Sequence, residues 1–336
     1  MKTRQIQMDH GAGGRASHDL VVNTFMPVLA NPILAELNDS ALLDFQGVRL
    51  AMSTDSYVVD PIFFPGGDIG SLAVHGTVND LAMRGAQPSY LSVGFILEEG
   101  LELTELERLL TSMATAAQEA MVQVVAADTK VVERGKADRI FINTAGVGVI
   151  PAGVDVAGQN AKPGDLVLIN GPMGDHGIAV LSTREGLSFQ TKIESDSAPL
   201  NGLVSAMLEV SRNIHVLRDP TRGGVATALN EVAKQSGVGI RLEESSLPVR
   251  PEVKATCEML GLDPLYVANE GKVLVLVPPE DAELVLDSML QHPLGKDGCI
   301  IGEVVSDYSG RVVLQTGIGG HRIVDMLSGE QLPRIC

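Results

Sequence analysis

Residues 64–86 read FPGGDIGSLAVHGTVNDLAMRGA, and this stretch predicts the first long helix of the chain, over 69–84. Gly85 and Pro88 end that helix, because neither residue favours its continuation. On either side, apolar runs predict strands at 48–52 and 90–97, and an apolar face predicts a second helix over 103–121. Strands at 122–126 and 139–150 complete a segment that alternates between strands and helices. This alternation indicates an α/β or α+β fold.

A second set of elements follows a stretch rich in Gly, Pro and Ala at 151–163, which indicates a linker or domain edge. Apolar patterning then predicts strands at 165–170, 239–242, 272–277, 299–304 and 311–315, and helices at 176–185, 198–211, 224–236, 251–260 and 280–291. We therefore predict two domains, 1–155 and 156–322. The final residues 329–336 read GEQLPRIC, and Pro333 blocks a helix there. Residues 323–336 are predicted to form a flexible, extended tail.

The composition of the 336 residues excludes several classes of protein. With 25 basic and 42 acidic residues, the net charge of −17 disfavours a nucleic-acid partner, which needs clustered Lys and Arg. No apolar stretch approaches the roughly 20 residues that span a membrane, and no secretory signal is visible at the start. The three cysteines are too few and too scattered for a disulfide framework or a zinc knuckle. These features predict a cytoplasmic protein.

Five aspartates are the first candidates for chemistry. Four follow apolar runs or lie in glycine-rich turns, and a fifth, less certain one precedes an apolar run. Carboxylates at strand ends suit Mg²⁺, which prefers oxygen ligands and bridges protein carboxylates to phosphates. A single aspartate in such a position is more often a turn residue or a helix cap, so only the set points to a metal. The five are Asp55, Asp80, Asp128, Asp219 and Asp39.

Other residues point to phosphate binding. Lys130 lies two residues after Asp128, so both side chains share a face if this segment is a strand, and the lysine could neutralise a phosphate. The glycine-rich sequence at 10–14 precedes a helix predicted to start near Ser17, and its N–H groups favour an anion. A flexible N-terminus is the alternative. No Walker A loop, no H-E-x-x-H and no G-x-S-x-G occurs, which excludes the corresponding enzyme classes.

Two further residues each leave two interpretations open. Glu270, before a strong strand, is either an exposed edge residue or a general base that faces a pocket. Cys336, the last residue, is either incidental or a carrier thiol on a swinging arm. The terminal carboxylate should raise the pKa of the Cys336 thiol, and Arg334 should oppose that rise. Cys257 and Cys299 lie in apolar contexts and are predicted core residues.

Taken in order, the aspartate segments resemble the signatures of the AIR-synthase (PurM-like) ATP-binding superfamily: NDSALL, STDS, TVND, AADT and DPTRGG. Within that superfamily, the whole chain resembles the HypE family of NiFe-hydrogenase maturation factors, which are carbamoyl dehydratases. The marks of this family are HGAGGRAS, residues 64–86, GFILEEG, DTKVVERG, FINTAGVG, GDHG, LRDPTRGG, ANEGK, HPLGKD and the terminal PRIC. PRIC is the most discriminating, since the superfamily fold does not require a terminal cysteine. Ala127 departs from the glycine common at that position.

The resemblance implies a two-domain PurM-like fold whose N-terminal domain forms a homodimer and binds ATP near the dimer interface. It also implies that the five aspartates bind Mg²⁺ and the phosphates. The glycine loop would close over the nucleotide, Lys130 would face the γ-phosphate or the thiocarboxamide, and Glu270 is a candidate base. The residues implied to bind ATP are Gly11, Gly13, Gly14, Asp39, Asp55, Asp80, Asp128, Lys130, Asn143 and Asp219.

The resemblance further implies a reaction on Cys336. A carbamoyltransferase of the HypF type would place a carboxamide on this thiol, and ATP-dependent dehydration would convert it to a thiocyanate. The cyano group would then pass to iron held by a HypC–HypD complex. Two alternatives stay open: a small-molecule kinase or synthetase of the same superfamily, which needs no terminal thiol, and a non-catalytic thiol carrier, which needs no metal–phosphate site.

Overall fold

The first half of the chain is built around one mixed sheet. The computed structural model describes residues 5–29, 31–186, 193–329, 331–332 and 334–336. The strands of this half are β1 (Ala41–Phe45), β2 (Val48–Tyr57), β3 (Phe63–Phe64), β4 (Gly67–Asp68), β5 (Gln87–Glu98), β6 (Gln123–Val132) and β7 (Ile140–Val149). Its α-helices are α1 (Arg15–Leu20), α2 (Met26–Leu29), α3 (Ile69–Ala82) and α4 (Leu103–Glu119). The sheet order is β1-β2-β7-β5-β6; β5 and β6 are parallel, and the other neighbours are antiparallel.

The second half forms a larger sheet. Its strands are β8 (Leu166–Ile169), β9 (Val216–Arg218), β10 (Gly239–Glu243), β11 (Leu274–Val277), β12 (Cys299–Val305), β13 (Arg311–Gln315) and β14 (His321–Val324). They pair in the order β14-β13-β10-β12-β8-β11-β9. The helices are α5 (Asp175–Arg184), α6 (Asn201–Val210), α7 (Gly224–Ser236), α8 (Pro251–Leu260) and α9 (Pro279–Gln291). Within the described ranges, every helix falls short of the length and apolar character needed to cross a membrane.

Helix α3 is central because it joins the two halves. Asp68 caps its start: the carboxylate accepts hydrogen bonds from the Gly70 and Ser71 N–H groups at 2.9 and 3.0 Å. Most of α3 is buried, and its C-terminal part shares one apolar core with α6. A helix that is apolar on all sides is stable only when it is covered on all sides. The position of α3 between the halves therefore explains its sequence.

The first sheet has one covered and one open face. Helix α3 packs on β2 and β7, whereas the opposite face carries exposed apolar side chains. Of these, Met52 is 49% exposed, Tyr90 50% and Ile96 43%. Because side chains alternate along a strand, residues of one strand can face either the core or this open face. The open face is an apolar surface that the described residues do not cover.

The predicted elements are present with ends within about three residues, apart from three differences. The strands predicted at 48–52 and 122–126 continue to Tyr57 and Val132, so Asp55 and Asp128 lie inside strands and not after them. The sequence does not predict strands β1, β3, β4, β9 and β14 or helix α2, since these elements are short or lack an apolar run. Strand β14 extends to Val324, two residues into the predicted tail. These strands are stabilised by backbone hydrogen bonds to neighbouring strands, which the pattern of side chains along the sequence does not reveal.

Candidate active site

A cavity of about 250 Å³ lies between the two halves. Strand β2 and helix α3 form one wall, and the turn between β9 and α7 forms another. The lining is dominated by charged side chains, most of them acidic. Those that line it are Asp39, Asp55, Asp80, Arg218, Asp219, Arg222, Glu231, Glu270 and Cys336, together with Gly13, Tyr57, Gly76, Thr221, Thr227 and Ala228.

Three of the predicted aspartates converge in this cavity. Asp39, Asp80 and Asp219 each place a carboxylate oxygen within 4.8 Å of the others. They come from three parts of the fold: the segment before β1, the last turn of α3, and the residue after β9. Ser53 Oγ donates a 2.6 Å hydrogen bond to Asp80 Oδ2, which orients that carboxylate. The structure thus brings together residues that are 180 positions apart in the sequence, since 219 − 39 = 180.

The electrostatics of this cluster favour a cation. Burial raises the pKa of Asp39 to about 6, although Arg218 opposes the rise. Burial, with the Asp39 charge adding to it, raises the pKa of Asp219 to about 8. Burial and the neighbouring carboxylates raise the pKa of Asp80 well above its usual range. Clustered carboxylates repel one another unless a cation or protons compensate their charge. Arg218 compensates only part of this charge, so the three oxygen donors fit Mg²⁺.

The two arginines of the cavity have different environments. Arg218 forms ion pairs with Asp39 and Glu231, so its charge is already balanced. Arg222 donates a 3.1 Å hydrogen bond to the Gly11 carbonyl and has no ion pair with a described carboxylate. A Cβ atom at Gly13 would lie 2.4 Å from Arg222 Cβ, so the loop needs glycine to pack here. Arg222 is therefore the cavity cation available to a further anion.

Glu270 faces the cavity and is not the exposed edge residue of one sequence interpretation. It is 3% exposed, and its Oε1 has no hydrogen-bond partner among the described residues. Its backbone N–H donates to Asp196 Oδ1 at 3.1 Å, and Asp196 pairs with Lys272 at 3.0 Å. Burial and then Asp219 and Asp55 raise the pKa of Glu270 well above its usual range. A carboxyl group with a raised pKa in a cavity is suited to exchange a proton with a bound group.

The last residues dock in the protein, with Cys336 against the carboxylates. The Val58 N–H donates to a terminal carboxylate oxygen of Cys336 at 3.0 Å, and Arg334 Nε donates to the Val58 carbonyl at 2.9 Å. Burial raises the pKa of the Cys336 thiol to about 12; Arg222 opposes this rise, and Glu270 and Asp55 add to it. The prediction that Arg334 plays the opposing role is wrong, because Arg334 forms an ion pair with Asp138 at 2.6 Å.

Three predicted site residues lie elsewhere in this single chain. Asp128, Lys130 and Asn143 line a separate cavity of about 330 Å³. The strand register pairs Gly94 with both Asp128 and Asn143, on the open face of the first sheet, whereas Asp55 points to the opposite face. Lys130 Nζ lies 2.6 Å from Asp128 Oδ2, and both side chains are exposed. The chain by itself does not bring these three residues to the aspartate cluster.

The glycine loop and the other cysteines also have clear positions. Gly11 ends a short 3₁₀ helix, Gly13 lines the cavity, and Gly14 is the N-cap of α1, which starts at Arg15. Cys257 is buried, as predicted, and Cys299 is only partly buried.

The roles of Arg222 and Asp196 were missed, because a turn arginine or a loop aspartate has no distinguishing local pattern.

Comparison with known proteins agrees with this architecture. The family model described as AIR synthase related protein, N-terminal domain, matches residues 37–150, and the model of the corresponding C-terminal domain matches residues 162–315. Carbamoyl dehydratase HypE of Azotobacter vinelandii is 55% identical over 336 residues, which cover 100% of this chain and 98% of the relative. The chain belongs to the HypE family. This confirms the family resemblance and the two-domain fold class.

Solved HypE structures have the same fold. HypE in a HypE–HypF complex superposes with a TM-score of 0.88 at 52% identity, covering 92% of this chain and 99% of that chain. HypE in complex with ATP superposes with a TM-score of 0.83 at 55% identity, covering 99% of this chain and 100% of the HypE chain. Relatives of this chain in the HypE family have thus been solved with a protein partner and with a nucleotide.

Proposed function

We propose that this chain is an ATP-dependent carbamoyl dehydratase that converts an S-carboxamide on Cys336 into a thiocyanate. One observation carries the proposal: the last residue of the chain places its thiol in the carboxylate cavity, beside Glu270 and Arg222. A kinase for a free small molecule has no use for a thiol there, and a simple carrier has no use for the carboxylates. The carbamoyl dehydratase name of the relatives and the ATP complex of one of them support the proposal.

The reaction has three steps. A HypF-type carbamoyltransferase first transfers a carbamoyl group to the Cys336 sulfur. The carboxamide oxygen then attacks the γ-phosphorus of ATP, and ADP leaves. Finally one proton passes from the nitrogen to a base and the other to the departing phosphate, which takes the oxygen as the C–O bond breaks and leaves S–C≡N. Phosphorylation is needed because an amide oxygen is a poor leaving group, whereas phosphate is a good one.

The cavity supplies the groups that these steps require. Asp39, Asp80 and Asp219 would hold Mg²⁺, which supplies positive charge to stabilise phosphoryl oxygens. Arg222 provides a second positive charge near the thiol. Glu270 accepts a proton from nitrogen once positive charge in the cavity has lowered its raised pKa. Burial of the tail limits hydrolysis of ATP and of the intermediate.

The partners follow from the position of the thiol. Cys336 is partly buried in the cavity, and we infer that the tail leaves the cavity to be loaded and again to deliver its product. We infer loading by a HypF-type protein in the cytoplasm, since a HypE of the same fold forms a complex with HypF. Delivery of the cyano group to iron on a HypC–HypD complex, for a NiFe-hydrogenase, completes the proposed cycle.

The test of this function is the intact mass of the C-terminal peptide. The protein is incubated with a HypF-type partner and its substrates, purified, and then given ATP and Mg²⁺. We expect an adduct on Cys336 that loses the mass of one water only after ATP and Mg²⁺ are added, and no adduct on C336A. An unmodified Cys336 in a protein that still consumes ATP on a small molecule would move the assignment to a kinase or synthetase. An adduct that never loses water would indicate that the protein is a non-catalytic thiol carrier.

We also propose a homodimer formed through the open face of the first sheet, which would place Asp128 and Lys130 at the interface. The substitution Met52→Asp buries a charge there and is expected to convert the dimer into a monomer, as measured by light scattering. Ile318→Asp is the matched control, since Ile318 is 98% exposed in the second half. A wild-type monomer, or a dimer that tolerates Met52→Asp, would contradict this interface.

A further inference from the structure

His176 contacts the tail, and the three steps of the proposed reaction give it no role. It lies in the first turn of α5, is 0% exposed, and packs edge-on against the Phe64 ring with centroids 5.5 Å apart. Its Nε2 is 2.8 Å from the carbonyl oxygen of Ile335, and its Nδ1 is 2.8 Å from Ser195 Oγ. Both ring nitrogens are therefore engaged.

The chemistry of the partners decides the tautomer of His176. A backbone carbonyl can only accept, so Nε2 must carry the hydrogen and donate it to Ile335. Nδ1 then accepts from the Ser195 hydroxyl. Ser195 is itself held in place, because its N–H donates to the Pro65 carbonyl at 2.8 Å and its Oγ accepts from the Ser197 N–H at 3.1 Å. Burial lowers the pKa of His176, which keeps the ring neutral.

The Ile335 carbonyl belongs to the peptide bond that joins Ile335 to Cys336. An oxygen of the terminal carboxylate of Cys336 accepts a hydrogen bond from the Val58 N–H in the first half of the molecule. His176, from the second half, bonds to the Ile335 carbonyl. The end of the tail is thus held from both halves, and the Ile335 side chain, 3% exposed, is buried in the core of the first half.

We propose that His176 is the positioning residue of the tail: by donating from Nε2 to the Ile335 carbonyl, it keeps the Cys336 thiol in the cavity and sets how often the tail leaves. This inference deepens the proposed function and rests on it. His176 touches neither the thiol nor the carboxylate cluster. It acts through the backbone, and its effect is on the balance between the docked and the released tail.

The test compares thiol accessibility with turnover. His176→Phe keeps a ring against Phe64 but leaves the buried Ile335 carbonyl without a donor. An unpaired buried carbonyl shifts the equilibrium between the docked and the released tail by roughly tenfold to a hundredfold. We expect iodoacetamide to label Cys336 faster by about that factor, and the single-turnover loss of water from carbamoylated protein to slow. His176→Gln, whose amide can donate to the same carbonyl, should restore most of both rates.

Buried Cys257 serves as the internal control for unfolding. The proposal is supported if Cys336 labelling rises in His176→Phe while Cys257 labelling stays at the wild-type level. It is overturned if Cys336 labelling is unchanged, if both thiols become reactive together in both variants, or if His176→Gln behaves like His176→Phe. Labelling needs neither ATP nor a partner protein. If wild-type protein never loses water, the proposed function fails, yet the labelling result still decides the role of His176.

Discussion

Replacing Asp80 with Asn is expected to slow turnover strongly and, at the same time, to stabilise the protein when no divalent cation is present. Asp80 lies among Asp39, Asp55 and Asp219, whose charges add to the effect of burial and raise its pKa. Asn keeps the size of the side chain and removes the charge. We expect the rate of water loss to fall by about a hundredfold to a thousandfold, because a ligand to the cation and the phosphates is lost.

The gain in stability has a defined dependence on pH. A carboxyl group whose pKa is raised by folding binds its proton more tightly in the native state, so stability falls as pH rises from the unfolded to the folded pKa. For the cluster this range extends from about 4 to about 8, since Asp219 moves from 3.8 to about 8 and Asp39 from 3.8 to about 6. The advantage of the variant is therefore absent near pH 4 and grows as the pH rises through this range.

Chemical denaturation at several pH values, with and without Mg²⁺, measures this effect. Mg²⁺ should stabilise the wild-type protein much more than it stabilises D80N. Asp287→Asn is the matched control, because it removes the same charge from an exposed position on α9. A variant that is less stable than wild type at pH 7 without Mg²⁺ would show that Asp80 has a cation partner in the protein already.

Replacing Glu270 with Gln is expected to stop dehydration after the carboxamide has been loaded on Cys336. The backbone N–H of residue 270 still bonds to Asp196, so the side chain keeps its place. Gln cannot take a proton from nitrogen, and loss of a general base costs about a hundredfold to ten thousandfold in rate. The wild-type rate should rise with pH, since the pKa of Glu270 is raised and its base form becomes more abundant at higher pH. That rise should be absent in the variant.

Single-turnover mass measurements on carbamoylated protein read out this prediction directly. ATP binding, followed by calorimetry, should change little in Glu270→Gln, which separates loss of the base from loss of the nucleotide site. Glu258→Gln, an exposed change on α8, is the control. If Glu270→Gln loses water at the wild-type rate, the base is another residue.

The positions of the five predicted aspartates show how much of the site sequence patterns can predict. Their number and residue type suggested a cation site, and Asp39, Asp80 and Asp219 do converge. Asp55 lines the same cavity, but Asp128 faces away from it. No local pattern separates Asp55 from Asp128, since both lie in strands of alternating side chains. The register of β2 with β7 and of β5 with β6 decides which face each one occupies.

By itself, the sequence determined the family, the two α/β halves, helix α3 and the thiol at the end of the chain. Each of these depends on residues near one another in the chain, such as a capping aspartate, an apolar period or a terminal motif. The tertiary structure alone decided that the buried Glu270 Oε1 has no hydrogen-bond partner among the described residues, that Arg222 and not Arg334 faces the thiol, and that His176 bonds to the Ile335 carbonyl. These contacts join residues up to some 276 positions apart, as between Val58 and Arg334. They depend on how sheets and helices pack, which short-range patterns do not encode.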